Sequence, residues 1–258
     1  MALGPILGGV CIAIWGERGG VRMAFVFALI LAVVATMLQQ ILIEDESSKP
    51  VNGNTDSIAE KSPFRMFRFM RPALKRLLVC DILVRFCEQI PYAFVVVWSM
   101  KSITHPVSAV QFGFLTGIEM VTAMLVYIPV AYLADKNTKK PFVVITFAFF
   151  TFFPLVLFFC QSFTWLVFAF ILRGFKEFGE PTRKALIMDL APEDRKAGMF
   201  GLYYLIRDII VSLAAFGGAF LWQIGPAVNF VTAFIFGIIG TVGFAVWGRD
   251  LAAEQTRP

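Results

Sequence analysis

The sequence has few of the residue types on which most catalytic and metal sites depend. Its 258 residues include a single histidine, His105, and four cysteines without a CxxC pair. It also lacks the HExxH motif of zinc proteases and the GxSxG turn of serine hydrolases. Carboxylates inside a membrane could serve a membrane-embedded enzyme, but these absences argue against the chemistry that such enzymes use. We therefore predict that the protein is not an enzyme and holds no metal or cofactor.

Charged residues are also scarce, at 16% of the chain, whereas apolar residues make up 58% and include 29 phenylalanines. Soluble domains average about 25% charged and about 45–50% apolar residues, so this balance is typical of a membrane protein. A helix needs roughly 20 apolar residues to cross the hydrocarbon core of a bilayer. Eight apolar blocks predict an all-α membrane protein with spans at 2–16, 22–43, 77–100, 109–134, 141–160, 163–187, 197–222 and 227–247.

The few charges are distributed unevenly between the loops. The formal net charge of +5 does not indicate nucleic-acid binding, because the basic residues lie in short loops beside the apolar blocks. Positively charged loops face the cytoplasm, which places 44–76, 135–140, 188–196 and the C-terminus on that side. The basic loop 17–22 is an exception on the predicted outer side. The pattern predicts a multi-pass protein of the cell (inner) membrane with a cytoplasmic C-terminus.

Composition divides the chain into four parts. Residues 1–43 hold two spans, 44–76 form a polar cytoplasmic linker, 77–250 hold six spans, and 251–258 form a cytoplasmic tail. The linker ends in a basic and aromatic segment, which is typical of an amphipathic surface helix. Plain anchoring by positive charges explains the same segment, and we favour this interpretation.

The last two spans repeat a pattern of the first two. The stretches 8–25 and 217–234 each have a Gly-Gly pair, then a tryptophan, a glycine and a phenylalanine. The distances from the second glycine of the pair to the later glycine and to the phenylalanine are the same in both stretches. Such repeats are typical of transporters built from duplicated halves, with the binding site between the halves. The offset predicts that the first half is incomplete, and that missing N-terminal helices of the same protein would complete it.

Ionisable residues divide the spans into two kinds. The third, fourth, sixth and seventh carry them, and the fifth and eighth carry none. A charge at the bilayer centre costs several kcal/mol, so such residues face a bundle interior or an aqueous cavity. Four helices are therefore expected to line a polar space, while the fifth is expected to face lipid on all sides. The predicted substrate and proton pathway comprises Arg85, Glu88, Glu119, Arg173, Glu177, Arg207 and Asp208.

Four of these residues are predicted to lie near the middle of the membrane, because each is about ten residues, or roughly 15 Å, from a helix end. They are Glu88, Glu119, Arg173 and Arg207. Ion pairs that hold the helices in register are one interpretation; a network that binds protons or substrate is the other, and we favour it. Asp81, Arg85 and Glu88 are separated by four and three residues, which predicts that they share one face of the third span. Glu88 is the preferred proton carrier, because Arg85 lies on the same face. Structural or gating roles are expected for Asp81, Glu180 and Asp189.

Three stretches carry a resemblance to a known family. The first, 131–140, reads AYLADKNTKK; the second, 4–9, reads GPILGG; the third, 173–201, begins Arg-Gly and ends Gly-x-x-Gly. They resemble, respectively, the G-x-L-A-D-R-x-G-R-K loop, the end of the fifth helix and the tenth-to-eleventh helix region of the major facilitator superfamily. Alanine and threonine replace the two glycines of the loop motif.

The resemblance implies a helical bundle in which eight of an expected twelve spans are present, as helices five to twelve. It implies that helices seven, eight, ten and eleven line a central cavity, which agrees with the division made by the charges. A charge lock at the cytoplasmic side would involve Asp135, Lys136, Lys139 and Lys140. Helix packing would involve Gly4, Pro5, Gly8 and Gly9, a motif common in proton-driven exporters.

The function that follows is secondary active transport of a small organic solute. Two six-helix bundles would rock about a midplane site by alternating access, with proton coupling and a preference for efflux. The expected partners are the solute, protons and the lipid bilayer. The alternative is a truncated bundle that transports nothing and acts only as an assembly or interaction protein.

Overall fold

The computed structural model describes residues 3–42, 63–136 and 138–248, and these residues form helices without a strand. Side chains 63–65, 128, 131 and 134–136 also lie outside the description. Within this part of the chain, five helices are long and apolar enough to cross a membrane. The all-α prediction is thus confirmed, while the count of eight spans stays a prediction. The counts differ because two predicted spans merge and two others are broken.

Helix α1 (Leu3–Leu42) contains both of the first two predicted spans. It bends at Gly16, whose φ of 72° and ψ of 171° lie outside the helical region. Positive φ is readily adopted only by glycine. Beyond the bend, Gly20 packs directly on the backbone of Cys11, so the two arms of α1 fold against each other there.

The third predicted span is interrupted. After the short helix α2 (Pro63–Arg68), helix α3 (Pro72–Gln89) begins five residues earlier than expected. It ends before a turn around Pro91, whose ring cannot continue the preceding helical hydrogen bonds. Helix α4 (Phe94–Val97) and a π-helical turn, Trp98–Ser102, complete the crossing.

The fourth and fifth predicted spans are the continuous helices α5 (Ala109–Lys136) and α6 (Lys140–Phe159). The sixth predicted span is interrupted, and its first part is α7 (Phe163–Gly174). A 3₁₀ turn, Phe175–Glu177, then separates α7 from α8 (Glu180–Leu190). Pro181 lies in the first turn of α8, a position that favours the start of a new helix. The break places two charged side chains, Lys176 and Glu177, on the turn between the helices.

Two long helices complete the bundle. A 3₁₀ turn, Glu193–Arg195, leads into α9 (Lys196–Ile224), and α10 (Pro226–Trp247) follows. Helix α10 packs closely on α3 because Gly240 has no side chain: a Cβ there would lie 2.8 Å from the Cys80 carbonyl oxygen. This is the close helix contact that small residues allow in membranes.

The expectation that the fifth span faces lipid on all sides is wrong. This span is α6, and it buries Phe147, Phe150 and Leu157 against the rest of the bundle. Its lack of charge does not distinguish the two surroundings, since lipid and a membrane-protein core are both apolar.

The buried apolar residues form two main clusters at opposite ends of the bundle. One includes Leu74, Phe147 and Leu186, and the other includes Trp98 and Phe230. Helix α1 contacts this bundle mainly through α5.

Candidate functional site

A row of alternating acidic and basic side chains runs through the bundle between α3, α5, α7 and α8. We call it the charge row. In order of contact it consists of Asp81, Arg183, Glu180, Arg85, Glu88, Lys176, Glu119 and Arg173. Helix α3 contributes one face of the row with the predicted spacing of four and three residues.

One end of the charge row is sealed from solvent. The side chain of Asp81 is 0% exposed and that of Arg183 is 1% exposed, and the two are in direct contact. The Tyr203 hydroxyl donates to Asp81 Oδ2 over 2.9 Å. Arg183 Nη2 also donates to Glu180 Oε1 over 2.6 Å. A buried carboxylate is tolerated here because several donors surround it.

The middle of the row joins α8 to α3. Arg85 Nη2 donates to Glu180 Oε2 over 3.1 Å, and Arg85 Nη1 donates to Glu88 Oε2 over 2.8 Å. Glu88 Oε1 in turn accepts from Lys176 Nζ over 3.1 Å. Each carboxylate in this stretch therefore has at least two cations beside it.

At the other end of the row, Lys176 Nζ lies 3.2 Å from Glu119 Oε1, and Arg173 Nη1 lies 3.3 Å from Glu119 Oε2. A close helix contact allows this approach: a Cβ on Gly174 would lie 2.7 Å from the Glu119 carbonyl oxygen. The Arg173 guanidinium also lies 5.2 Å from the Phe153 ring centroid, within cation–π range. Glu88 and Glu119 are thus joined through one shared lysine.

Two grooves open beside this end. The larger, of about 640 Å³, is lined by Glu119, Met120, Ala123, Met124, Tyr127, Lys176 and Glu177. The smaller, of about 310 Å³, is lined by Tyr92, Val95, Val96, Phe112, Thr116, Glu119, Met120, Arg173 and Lys176. Both grooves are lined by Glu119, Met120 and Lys176. The two grooves therefore meet at this end of the charge row.

The structure brings together three of the four residues predicted near the midplane, and it places Arg207 elsewhere. Arg207 Nη1 lies 3.7 Å from Asp81 Oδ2, and its guanidinium lies 4.1 Å from the Tyr204 ring centroid. Arg207 Nη2 also contacts Asp208, which is 61% exposed. Distance from a helix end gives a level in the membrane but does not give the neighbouring helix.

Four members of the row lie outside the predicted pathway. Asp81 and Glu180 were expected to have structural or gating roles, and no role was predicted for Arg183 and Lys176. Arg183 follows Glu180 by three residues on α8, and Lys176 follows Arg173 by three. These spacings were a usable signal, because residues three apart share a helix face. Arg183 lies within the predicted sixth span, and no role was predicted for it.

The predicted cytoplasmic lock is described only in part, since the side chains of Asp135 and Lys136 lie outside the description. Lys139 Nζ contacts Asp189 Oδ2 over 2.5 Å, which links the start of α6 to the end of α8. Lys140 is partly buried at the first turn of α6.

The predicted helix-packing motif lies where α1 meets α5. A Cβ on Gly9 would lie 2.7 Å from the Ala109 carbonyl oxygen, and one on Gly113 would lie 2.6 Å from the Pro5 carbonyl oxygen. A Cβ on Gly4 or Gly8 would meet no other atom within 4 Å. Pro5 and Gly9 therefore belong to this contact.

No group of three histidine, cysteine or carboxylate side chains within the described residues is arranged to hold a metal ion.

Comparison with known families decides what kind of protein this is. The family model of the Major Facilitator Superfamily matches residues 77–258. The chain belongs to the major facilitator superfamily. The resemblance seen in its motifs is therefore confirmed, and the matched region contains the whole charge row and both grooves. A search of curated proteins found no match.

Membership establishes the broad function. This major facilitator is a multi-pass membrane protein and a membrane transporter of the major facilitator kind. The charge row lies inside the region that the family shares, whereas residues 1–76 lie outside the match.

Proposed function

We propose that this major facilitator is a secondary active transporter of a small organic solute, with alternating access, proton coupling and a preference for efflux. We place it in the cell membrane with a cytoplasmic C-terminus. The observation that carries the proposal is the shared lysine: Lys176 holds both Glu88 and Glu119 beside two open grooves.

The arrangement of these three side chains supports proton coupling. Each carboxylate is compensated while Lys176 stays within about 3 Å of it. When a cation moves away, an uncompensated carboxylate in a membrane interior is stabilised by taking up a proton. Arg85 and Arg173 keep their charge, so the carboxylates carry the proton and the cations act as switch partners.

Alternating access requires that these contacts open and close. Lys176 lies on the 3₁₀ turn between α7 and α8, Glu88 on α3 and Glu119 on α5. Interrupted helices are common at transporter sites, where their halves can move separately. A displacement of the turn would therefore break both contacts of Lys176 in one step.

The preference for efflux rests on the GPILGG stretch and its place in the fold. Its Pro5 and Gly9 approach α5, the helix that carries Glu119. We propose that α1 belongs to the opposing bundle and that this contact is part of the interface between bundles. The Lys139–Asp189 contact, together with Asp135 and Lys136, is proposed to close the cytoplasmic side.

The test is solute-driven proton movement in vesicles. The purified protein, together with the N-terminal helices expected to complete its first half, is reconstituted into vesicles that contain a pH dye, and cationic, zwitterionic and anionic organic solutes are added in turn. We expect proton flux with one class of solute, unchanged in the exposed control Glu193→Gln and lost in the double variant Glu88→Gln/Glu119→Gln. Equal flux in the double variant would contradict proton coupling. If no solute causes proton flux, and other membrane proteins co-purify stably with this chain, the result would favour the alternative function as an interaction protein.

A further inference from the structure

We infer that the larger groove binds monovalent organic cations with an apolar body, and that Glu177 is the group that recognises their charge. This inference rests on the proposed transport function, because it names the class of solute. We call the 640 Å³ groove the Glu177 groove. Its volume lies within the range of about 300–1,000 Å³ that small-molecule sites occupy.

The charges that line the Glu177 groove do not cancel. Lys176 contacts both Glu88 and Glu119, and the second oxygen of Glu119 is held by Arg173. Glu177 is partly buried, and among the described residues it forms no ion pair or side-chain hydrogen bond. The groove therefore presents one carboxylate in excess.

The rest of the groove is apolar and adaptable. Met120, Ala123 and Met124 are spaced along one face of α5. Methionine side chains are flexible and polarisable, so they fit apolar groups of different shapes. Tyr127 lies one turn further along and is 41% exposed, which leaves its ring available to a cation.

Charge complementarity then selects the occupant. An anion would meet the excess carboxylate, while the neighbouring lysine is already engaged by two acids. A neutral solute would desolvate Glu177 without replacing its hydration, which is unfavourable in an apolar site. A cation with an apolar body satisfies the carboxylate, the aromatic ring and the methionine wall together.

Two ions of the same shape and opposite charge test the assignment. Tetraphenylphosphonium and tetraphenylborate are titrated onto the purified full chain in detergent, with binding to protein-free micelles subtracted. We expect tetraphenylphosphonium to bind at least tenfold more tightly than tetraphenylborate. Glu177→Gln should weaken binding of the cation at least tenfold, whereas Glu177→Asp should keep it within a few fold. The exposed control Glu193→Gln should bind like the wild type.

Equal binding of the two ions would show a nonspecific apolar face and overturn the inference. Undiminished binding of the cation by Glu177→Gln, with a size-exclusion profile like the wild type, would overturn it as well. Binding is measured without a gradient, so its outcome is independent of transport. Cation binding through Glu177 without transport would contradict the proposed function alone, and proton-coupled transport without cation binding would contradict this inference alone.

Discussion

The two ends of the charge row use the same chemistry in different surroundings. At the sealed end, Asp81 and Arg183 are 0% and 1% exposed, and neither lines either of the two grooves. At the open end, Glu119 and Lys176 are 10% and 16% exposed and line both. An ion pair without access to water holds helices together, whereas one that borders an open groove can exchange partners with protons or solute. Substitutions at the sealed end are therefore expected to reduce stability, and substitutions at the open end are expected to affect transport more than stability.

The largest effect is expected at the sealed end. Asp81→Asn leaves Arg183 buried without its main counter-charge, which we expect to lower the free energy of unfolding by about 3–5 kcal/mol. Thermal unfolding in detergent measures this loss. The double variant Asp81→Asn/Arg183→Gln should lose less than the sum of the single variants, because the charges are removed together. A stability equal to that of the wild type would show that this end is not sealed.

Helix packing near the sealed end provides a second, smaller test. Gly240→Val places a side chain against the Cys80 carbonyl and Val84, and overpacking of this kind costs about 1–3 kcal/mol. The matched control is Gly243→Ala, where the nearest atom would be 3.4 Å from the new Cβ. If both variants unfold at the same temperature, α10 does not pack tightly on α3.

A single change at the open end is expected to affect stability less. In Glu119→Gln, Lys176 keeps Glu88 and Arg173 keeps its aromatic neighbours, so we expect a loss of about 1 kcal/mol. The same variant should weaken the dependence of transport on pH. Unfolding temperature and transport are measured on the same preparation. A loss of stability as large as that of Asp81→Asn would remove the distinction between the ends.

The smallest effect on stability is expected from cysteine substitutions in two exposed loops. Labelling of these cysteines determines which side of the membrane each end of the bundle faces. The loops predict that Glu193 faces the cytoplasm and Lys101 faces outward, and both are exposed. In intact cells, a membrane-impermeant thiol reagent should label Lys101→Cys and spare Glu193→Cys. Rapid labelling of Glu193→Cys would reverse the predicted topology.

Much of the charge row was predictable from helix periodicity. The spacing of Asp81, Arg85 and Glu88 predicted one face of α3, and the structure places all three in the row. Glu119 and Arg173 were also predicted at one level, and they are in contact. These predictions succeed because they depend only on residues within unbroken helical stretches.

The remaining features depend on where helices break and which helices meet. The predicted spans ran through Pro91 and the Phe175–Glu177 turn, so the linking role of Lys176 was not predicted. Arg207 was predicted at the same level as Glu88, Glu119 and Arg173, whereas the structure places it beside Asp81. The periodicity of one segment predicts neither where its helix breaks nor which other helix packs beside it.

The central claim is that Glu88 and Glu119, which are joined through Lys176, carry the coupling proton, and Glu88→Gln tests it most directly. Vesicles containing this variant are compared with the wild type in two assays: solute accumulation driven by a pH gradient, and solute exchange without a gradient. We predict that accumulation is abolished while exchange continues, because a glutamine cannot carry a proton but leaves the grooves intact. Accumulation with unchanged pH dependence in both Glu88→Gln and Glu119→Gln would contradict the claim.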